Sequence, residues 1–395
     1  MTDAAIVIVG AGQAGLQVAI SLREKGHAGP ITLVGGEAHL PYHRPPLSKR
    51  GLAQALTADD LAIRNRDFIG QRNIELRLGV AAESIDRAAR VLHLADGARL
   101  PYDTLVLATG SRPRRLALPG SELPSVLQLH GFADLQRLRA LLPQTRRAVS
   151  VGGGFVGLEV AASLTLAGVT VTVIEAAPRL LSRVASPALS AHVAAAHLAR
   201  GVAIRTAAVV TALSGSDRVT LVGLGSGEQL PADLVLVGIG AEAEDRLAVD
   251  AGLRTDRGIL VDPTGRSSDP SIYAAGDCTR FDHPHYGPGL RLESVNNALD
   301  QARSVASAIV GEPVRSGAIP WFWSDQFDLR IQLAGLPAAA DRSETVSCDE
   351  GFLRHFVRDG QLRAVEAVNA PRAFMAARRR IEAEAASRTP LQGAA

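Results

Sequence analysis

Two seventeen-residue stretches of this chain are near-copies of each other. Residues 6–22 read IVIVGAGQAGLQVAISL and residues 148–164 read AVSVGGGFVGLEVAASL. Each is an apolar strand-like run, a GxGxxG turn and a helix-forming segment. The glycines are Gly10, Gly12 and Gly15 in the first copy, and Gly152, Gly154 and Gly157 in the second. In such a turn the first glycine bends the chain, the second lets a pyrophosphate approach the backbone, and the third lets helix pack on strand. The phosphates then face free N–H groups at a helix N-terminus. An acid follows the next apolar run in both copies: Glu37 after ITLVGG and Glu175 after VTVI. Both lie near the spacing of about 20 residues at which a carboxylate grips a ribose diol. The expected fold class is therefore α/β, with two Rossmann-like dinucleotide-binding domains. Two dinucleotides in one chain imply electron transfer between them, and flavin with nicotinamide is the usual pair.

Length and composition leave room for this. The chain has 395 residues, 47% apolar and 21% charged, enough for two or three domains. A net charge of +2 argues against a bulk nucleic-acid binder. The two cysteines, Cys278 and Cys348, form no CxxC or Cys/His cluster, so no protein-borne zinc or iron–sulfur site is expected. The opening AAIVIVG is too short for a signal-peptide core, and no apolar run reaches the roughly 18 residues of a membrane span. The expected location is cytoplasmic, with no membrane partner.

Two residues break the chain's own habits. Among 42 basic residues, only Lys25 and Lys49 are lysines, and Lys49 ends the string PYHRPPLSK. Where the first copy has Gln17, the second has Glu159. An acid in the first turns of a helix complements its dipole, so by itself Glu159 admits a purely structural reading. The segment ESVNNALDQARSVASAIVG (293–311) reads as a helix with Ser294 as N-cap and Val295 following it. Both tryptophans fall in PWFWSDQFDL, in a chain with 4% aromatic residues.

Together PYHRPPLSK, LVLATGSRPR, VGGGFVGLE, SIYAAGDC, LRLESVNNALDQA and PWFWSDQFDLRIQLAGL resemble the FAD-dependent, NADH-oxidising ferredoxin reductases of bacterial oxygenase systems, the putidaredoxin reductase and biphenyl dioxygenase reductase type. Their wider fold is that of glutathione reductase. The likeness runs from about residue 5 to about residue 382. It implies that electrons pass from NADH through FAD to an acidic, transiently bound two-iron two-sulfur ferredoxin. That ferredoxin would feed a ring-hydroxylating dioxygenase or a haem-thiolate monooxygenase. NADH oxidases, rubredoxin reductases and FAD/NAD-dependent redox-responsive binding proteins of similar fold are the alternatives.

The resemblance also assigns roles. Disulfide reductases of this fold carry a redox cysteine pair where this chain has RPPLSK, so a protein disulfide is not the electron acceptor. Lys49 would lie beside the reactive edge of the flavin, paired with Glu159; a compact ammonium suits that place better than a planar guanidinium. Arg44 would reach the FAD pyrophosphate or ribose. Ala108, Thr109 and Gly110 would form the crossing turn out of the FAD domain. Asp277 would bond the ribitol, and the helix at Ser294–Val295 would face the flavin pyrimidine. Trp323 would lie against the flavin near the ferredoxin. Val156, Arg183 and the turn Gly238–Ile239–Gly240 would join Glu175 at NAD. After that turn AEAEDRL departs from the family pattern, which leaves its loop contacts open. Arg179 near Arg183 leaves room for some NADPH use. Cys278 reads as a small buried residue. Arg291, Arg315, Arg330, Arg378, Arg379 and Arg380 are basic candidates for the docking face. The expected domains are FAD-binding (1–112 and 241–315), NAD-binding (113–240) and a C-terminal α+β domain (316–395). The last has strands around RIQLAG, FLRHFVRDG and QLRAVEAVN, a helix RAFMAARRRIEAEA and a loose end.

Overall fold

A computed structural model describes residues 3–314, 317–347 and 351–387. Arg315, Cys348 and the end of the chain from residue 388 lie outside the described residues.

The duplication extends well beyond seventeen residues. In the first half Ile6–Val9, Ile31–Gly35 and Ile74–Leu78 form parallel strands. Three antiparallel strands over 82–101 follow, and Thr104–Leu107 then returns beside Ile6–Val9. The second half repeats this order. Arg147–Val151, Thr170–Ile174 and Ala203–Arg205 lie parallel, three antiparallel strands over 210–231 intervene, and Leu234–Val237 returns beside Arg147–Val151. Each sheet has a fifth strand from elsewhere in the chain: Ile272–Ala274 in the first, Val126–Leu127 in the second. Strands Ile6–Val9, Ile31–Gly35 and Leu234–Val237 are buried along their whole length. This is why they read as continuous apolar runs and not as alternating ones.

Two short strands connect the halves. Ser111–Pro113 leaves the first sheet and pairs antiparallel with Ala241–Ala243, which comes back from the second. The departing segment AEAEDRL thus begins as part of this connection. Its Glu242 and Glu244 form ion pairs with Arg112.

The C-terminal region is a five-stranded antiparallel sheet in the order Trp321–Gln326, Leu329–Gly335, Gln361–Val368, Phe352–Arg358, Arg342–Thr345. Helix Pro371–Ala386 covers it through Phe374, Ala377, Ile381 and Ala385. Two of these strands, Trp321–Gln326 and Arg342–Thr345, go beyond the three expected from sequence. Leu329, Ile331, Leu333 and Val368 share one core cluster with Leu158, Leu189, Val193 and Leu236 of the second glycine-turn half. The C-terminal sheet is therefore packed on that half by burial of apolar surface, and it delivers the aromatic strand Trp321–Gln326 to the second glycine turn.

Candidate functional site

The three glycines of each turn meet different surroundings. A Cβ on Gly10 would stand 2.0 Å from the Ala108 carbonyl oxygen, and one on Gly15 would stand 2.0 Å from the Gly10 carbonyl oxygen. The second turn repeats this: Gly152 meets the Gly238 carbonyl at 2.3 Å and Gly157 meets the Gly152 carbonyl at 2.3 Å. Gly10 and Gly152 also have φ of +112° and +109°, where a side chain would be strained. The middle glycines are unlike the others. A Cβ on Gly12 or Gly154 would find no atom within 4 Å, so no protein packing requires glycine there. Both are N-caps without a side-chain cap, at the starts of helices Gln13–Glu24 and Phe155–Leu166. Open space before uncapped N–H groups suits a phosphate. Val156, 45% exposed, adds an apolar surface at the mouth of the second turn.

The two acids sit differently. Glu37 is held by Arg44 at 2.6 Å and by the Tyr42 hydroxyl at 2.7 Å. Burial opposes its ionisation, but Arg44 and Tyr42 outweigh burial and its pKa is lowered. Arg44 also donates to the His130 carbonyl. Glu175 instead accepts two backbone N–H groups, from Gly153 and from Ala177, each at 2.7 Å, and so lies inside the second glycine turn. Arg179 is turned into its own loop, bonded to the carbonyls of Ser182 and Ala185. Arg183 is exposed, with its guanidinium 3.1 Å from where a Gly240 Cβ would stand.

Asp277 follows the strand Ile272–Ala274 and faces Ser111, whose hydroxyl donates to it at 3.4 Å. Burial, then the neighbouring Glu293, push its carboxyl up to about 7. Ser294 caps helix Val295–Ile309 by accepting the Asn297 N–H. Thr109 donates its hydroxyl to the Glu244 carbonyl, tying the crossing turn to the returning strand. Cys278 is fully buried, near the carbonyls of Leu107 and Ala275.

Lys49 and Glu159 meet. The ammonium lies 2.9 Å from Glu159 Oε1, with Glu159 3% exposed and Lys49 17% exposed. A short 3₁₀ turn, Pro45–Ser48, presents Lys49. Its two prolines pre-set the backbone, and the Ser163 hydroxyl ties it to helix Phe155–Leu166 by donating to the Ser48 carbonyl. Two further donors reach Glu159: the hydroxyls of Ser48 and Ser324, each at 2.5 Å. Sequence reading named the pair but missed both serines, although each directly adjoins a named residue. A buried carboxylate needs more than one donor, but that Glu159 is buried is itself decided by the tertiary structure. Trp323 stands beside Ser324 on its strand. Its ring lies 5.5 Å from Trp321, and Arg378 covers Trp321 at 5.1 Å. Phe322 packs on Phe155, the first residue of the helix after the second turn.

The model for pyridine nucleotide-disulphide oxidoreductases matches residues 4–302. The chain belongs to this family. A reductase C-terminal model matches residues 321–391 of this pyridine nucleotide-disulphide oxidoreductase. It is 42% identical to the ferredoxin–NAD(P)+ reductase Fdr of a Sphingomonas species, over 96% of this chain and 93% of that one. A solved ferredoxin reductase for the CYP199A2 system of Rhodopseudomonas palustris superposes with a TM-score of 0.90 at 40% identity, covering 93% of this chain and 91% of that one. The reductase in a covalent putidaredoxin reductase–putidaredoxin complex gives 0.93 at 39% identity, with 96% and 93% covered. As a pyridine nucleotide-disulphide oxidoreductase the chain is an oxidoreductase that carries FAD and uses NAD(P)H. The open positions before Gly12 and Gly154 fit two dinucleotide pyrophosphates. No described helix is long and apolar enough to cross a membrane.

Several basic docking candidates already have partners. Arg291 pairs with Glu293 at 2.5 Å and also donates to the Ala241 carbonyl, while Arg378 pairs with Glu382 and Arg380 with Glu384. Arg330 and Arg379 are exposed.

Proposed function

We propose that this chain is an NADH-dependent ferredoxin reductase. It would take electrons from NADH and deliver them to an acidic, transiently bound two-iron two-sulfur ferredoxin serving an oxygenase in the cytoplasm. The carrying observation is the buried Lys49–Glu159 pair. It joins the segment between the second and third parallel strands of the first half, where a disulfide reductase would have cysteines, to the helix that follows the second glycine turn. The ferredoxin named for relatives at about 40% identity supports the choice of acceptor.

In this reading residues 1–112 and 241–315 hold FAD, 113–240 hold NADH, and 316–395 carry Trp323 to the electron exit. FAD, when bound, supplies an acceptor for a hydride and gives electrons up singly. Gly10, Gly12, Gly15, Ala108, Thr109 and Gly110 form its cradle; Glu37 and Arg44 serve its ribose and pyrophosphate end; Asp277, Ser294 and Val295 serve the ribitol and flavin. Gly152, Gly154, Val156 and Gly157 hold the NADH pyrophosphate, Glu175 its ribose, and Arg183 with Gly238–Gly240 the nicotinamide half. Lys49 places a positive charge where negative charge arrives. Glu159 compensates that charge where solvent is scarce.

The test is turnover. Purified, FAD-loaded protein with NADH and a two-iron two-sulfur ferredoxin should reduce cytochrome c, with little oxygen uptake when ferredoxin is left out. Rubredoxin reduced in place of ferredoxin, or fast oxygen consumption without either, moves the chain to the rubredoxin reductases or NADH oxidases.

A further inference from the structure

The hydrogen bonds at Glu159 continue away from the lysine. Ser324 is fully buried. It donates to Glu159 Oε1 at 2.5 Å, while Gln326 Nε2 lies 3.0 Å from the Ser324 hydroxyl. Beyond it, Nε2 of His197 meets Gln326 Oε1 at 2.9 Å. Gln326 and His197 are 1% and 0% exposed.

One proton arrangement satisfies this chain. A hydroxyl has a single hydrogen. With that hydrogen on the carboxylate, the Ser324 oxygen accepts from the Gln326 amide nitrogen. The amide oxygen then accepts, so His197 carries its proton on Nε2. Its Nδ1 has no partner among the described residues, which suits a bare acceptor and not a second donor. Burial lowers the His197 pKa, which disfavours a second ring proton. All the donors therefore point toward Glu159, and aligned hydrogen bonds of this kind strengthen one another.

The members come from three separate elements: helix Pro187–Ala199, strand Trp321–Gln326 and helix Phe155–Leu166. Successive residues of a strand face opposite ways. Ser324 and Gln326 thus share one face of their strand, and Trp323 takes the other.

We propose that Ser324, backed by Gln326 and His197, is a positioning residue for electron entry, fixing the Glu159 carboxylate in the orientation that holds the Lys49 ammonium. This deepens the reductase reading and rests on Lys49–Glu159 being the flavin-side pair. It assigns the C-terminal sheet a part in accepting electrons from NADH in addition to delivering them. Without the hydroxyl, Glu159 keeps only Lys49 and Ser48 among the described residues, and the Gln326 amide loses its acceptor. The carboxylate can then turn.

The experiment compares Ser324→Ala, Ser324→Thr, Gln326→Met, Glu159→Gln and the Ser324→Ala/Glu159→Gln double variant. Losing one hydrogen bond to a charged group should slow flavin reduction at saturating NADH about tenfold in Ser324→Ala, with the dissociation constant for NADH nearly unchanged. Gln326→Met should act in the same direction more weakly, and Ser324→Thr should restore the rate. In the Glu159→Gln background Ser324→Ala should have less than about a twofold further effect, because the two residues act through one interaction. A second readout needs no FAD. The carboxylate stretching band of Glu159, from isotope-edited infrared spectra of FAD-free protein, should shift in Ser324→Ala and Gln326→Met and return in Ser324→Thr. An unshifted band in both variants overturns the proposal, as does full additivity with Glu159→Gln. If Glu159→Gln slows reduction and Ser324→Ala does not, the positioning role alone fails. If Glu159→Gln leaves reduction unchanged, the flavin-side assignment of the pair fails with it.

Discussion

The carboxylate of Glu175 accepts the N–H of Gly153 at 2.7 Å, which seats an acid inside the second glycine turn. A ribose 2′-hydroxyl can donate to such an acid, and a 2′-phosphate is repelled. NADH should therefore be preferred over NADPH by well over tenfold in kcat/KM, because a mispaired charge costs more than about 1.4 kcal/mol. Glu175→Gln should narrow the preference. Steady-state kinetics with both nucleotides checks this, and equal values would place Glu175 away from the ribose.

Gly12→Val should give FAD-free protein that still folds. A Cβ there meets no protein atom, so the added branches take space kept for the pyrophosphate at little cost to packing. Absorbance at 450 nm and circular dichroism report the two halves of this expectation. Full FAD retention would remove Gly12 from the cradle.

Asp277, raised to about 7, gives a pH dependence of definite sign. Above the ordinary carboxylate pKa the unfolded chain has released this proton while the folded chain keeps it. Folding then takes up a proton, and stability falls as pH rises to about 7. FAD-free protein should lose melting temperature over that window, and Asp277→Asn should flatten the loss.

Alkylation should not stop turnover. Burial pushes the Cys278 thiol up and leaves none of it exposed, and the stretch PYHRPPLSK that carries Lys49 contains no cysteine. Iodoacetamide treatment of the FAD-loaded enzyme, followed by the cytochrome c assay, tests this; stoichiometric inactivation with FAD still bound would contradict it.

Electron exit should depend on salt. Raising ionic strength from about 0.05 to 0.5 M shortens the Debye length from roughly 14 to 4 Å. Ferredoxin-linked cytochrome c reduction should fall steeply over that range, while ferricyanide reduction, which needs no protein docking, should fall much less. Trp323→Ala should lower the ferredoxin-linked rate more than the ferricyanide rate. Because Arg291, Arg378 and Arg380 already pair with acids, Arg330→Ala and Arg379→Ala should weaken docking more than changes at those three.

The sequence by itself determined both glycine turns, their acids and the order strand–turn–helix, because these are local. Spacing along one segment decides whether a strand can end in a turn with φ above zero and a helix can begin at once. It also marked Lys49, through composition, and Glu159, through the replacement of Gln17 by an acid in the second copy. Only the tertiary structure decided what Glu159 touches. Ser48 lies 111 positions from it and Ser324 lies 165, and no periodicity in either segment encodes a partner so far away. The same holds for the strand pair Ser111–Pro113 and Ala241–Ala243, and for the core shared by the second half and the C-terminal sheet. Each depends on surfaces meeting after the local elements have formed. A buried carboxylate needs donors to offset its lost hydration, and at Glu159 those donors come from segments far apart in sequence.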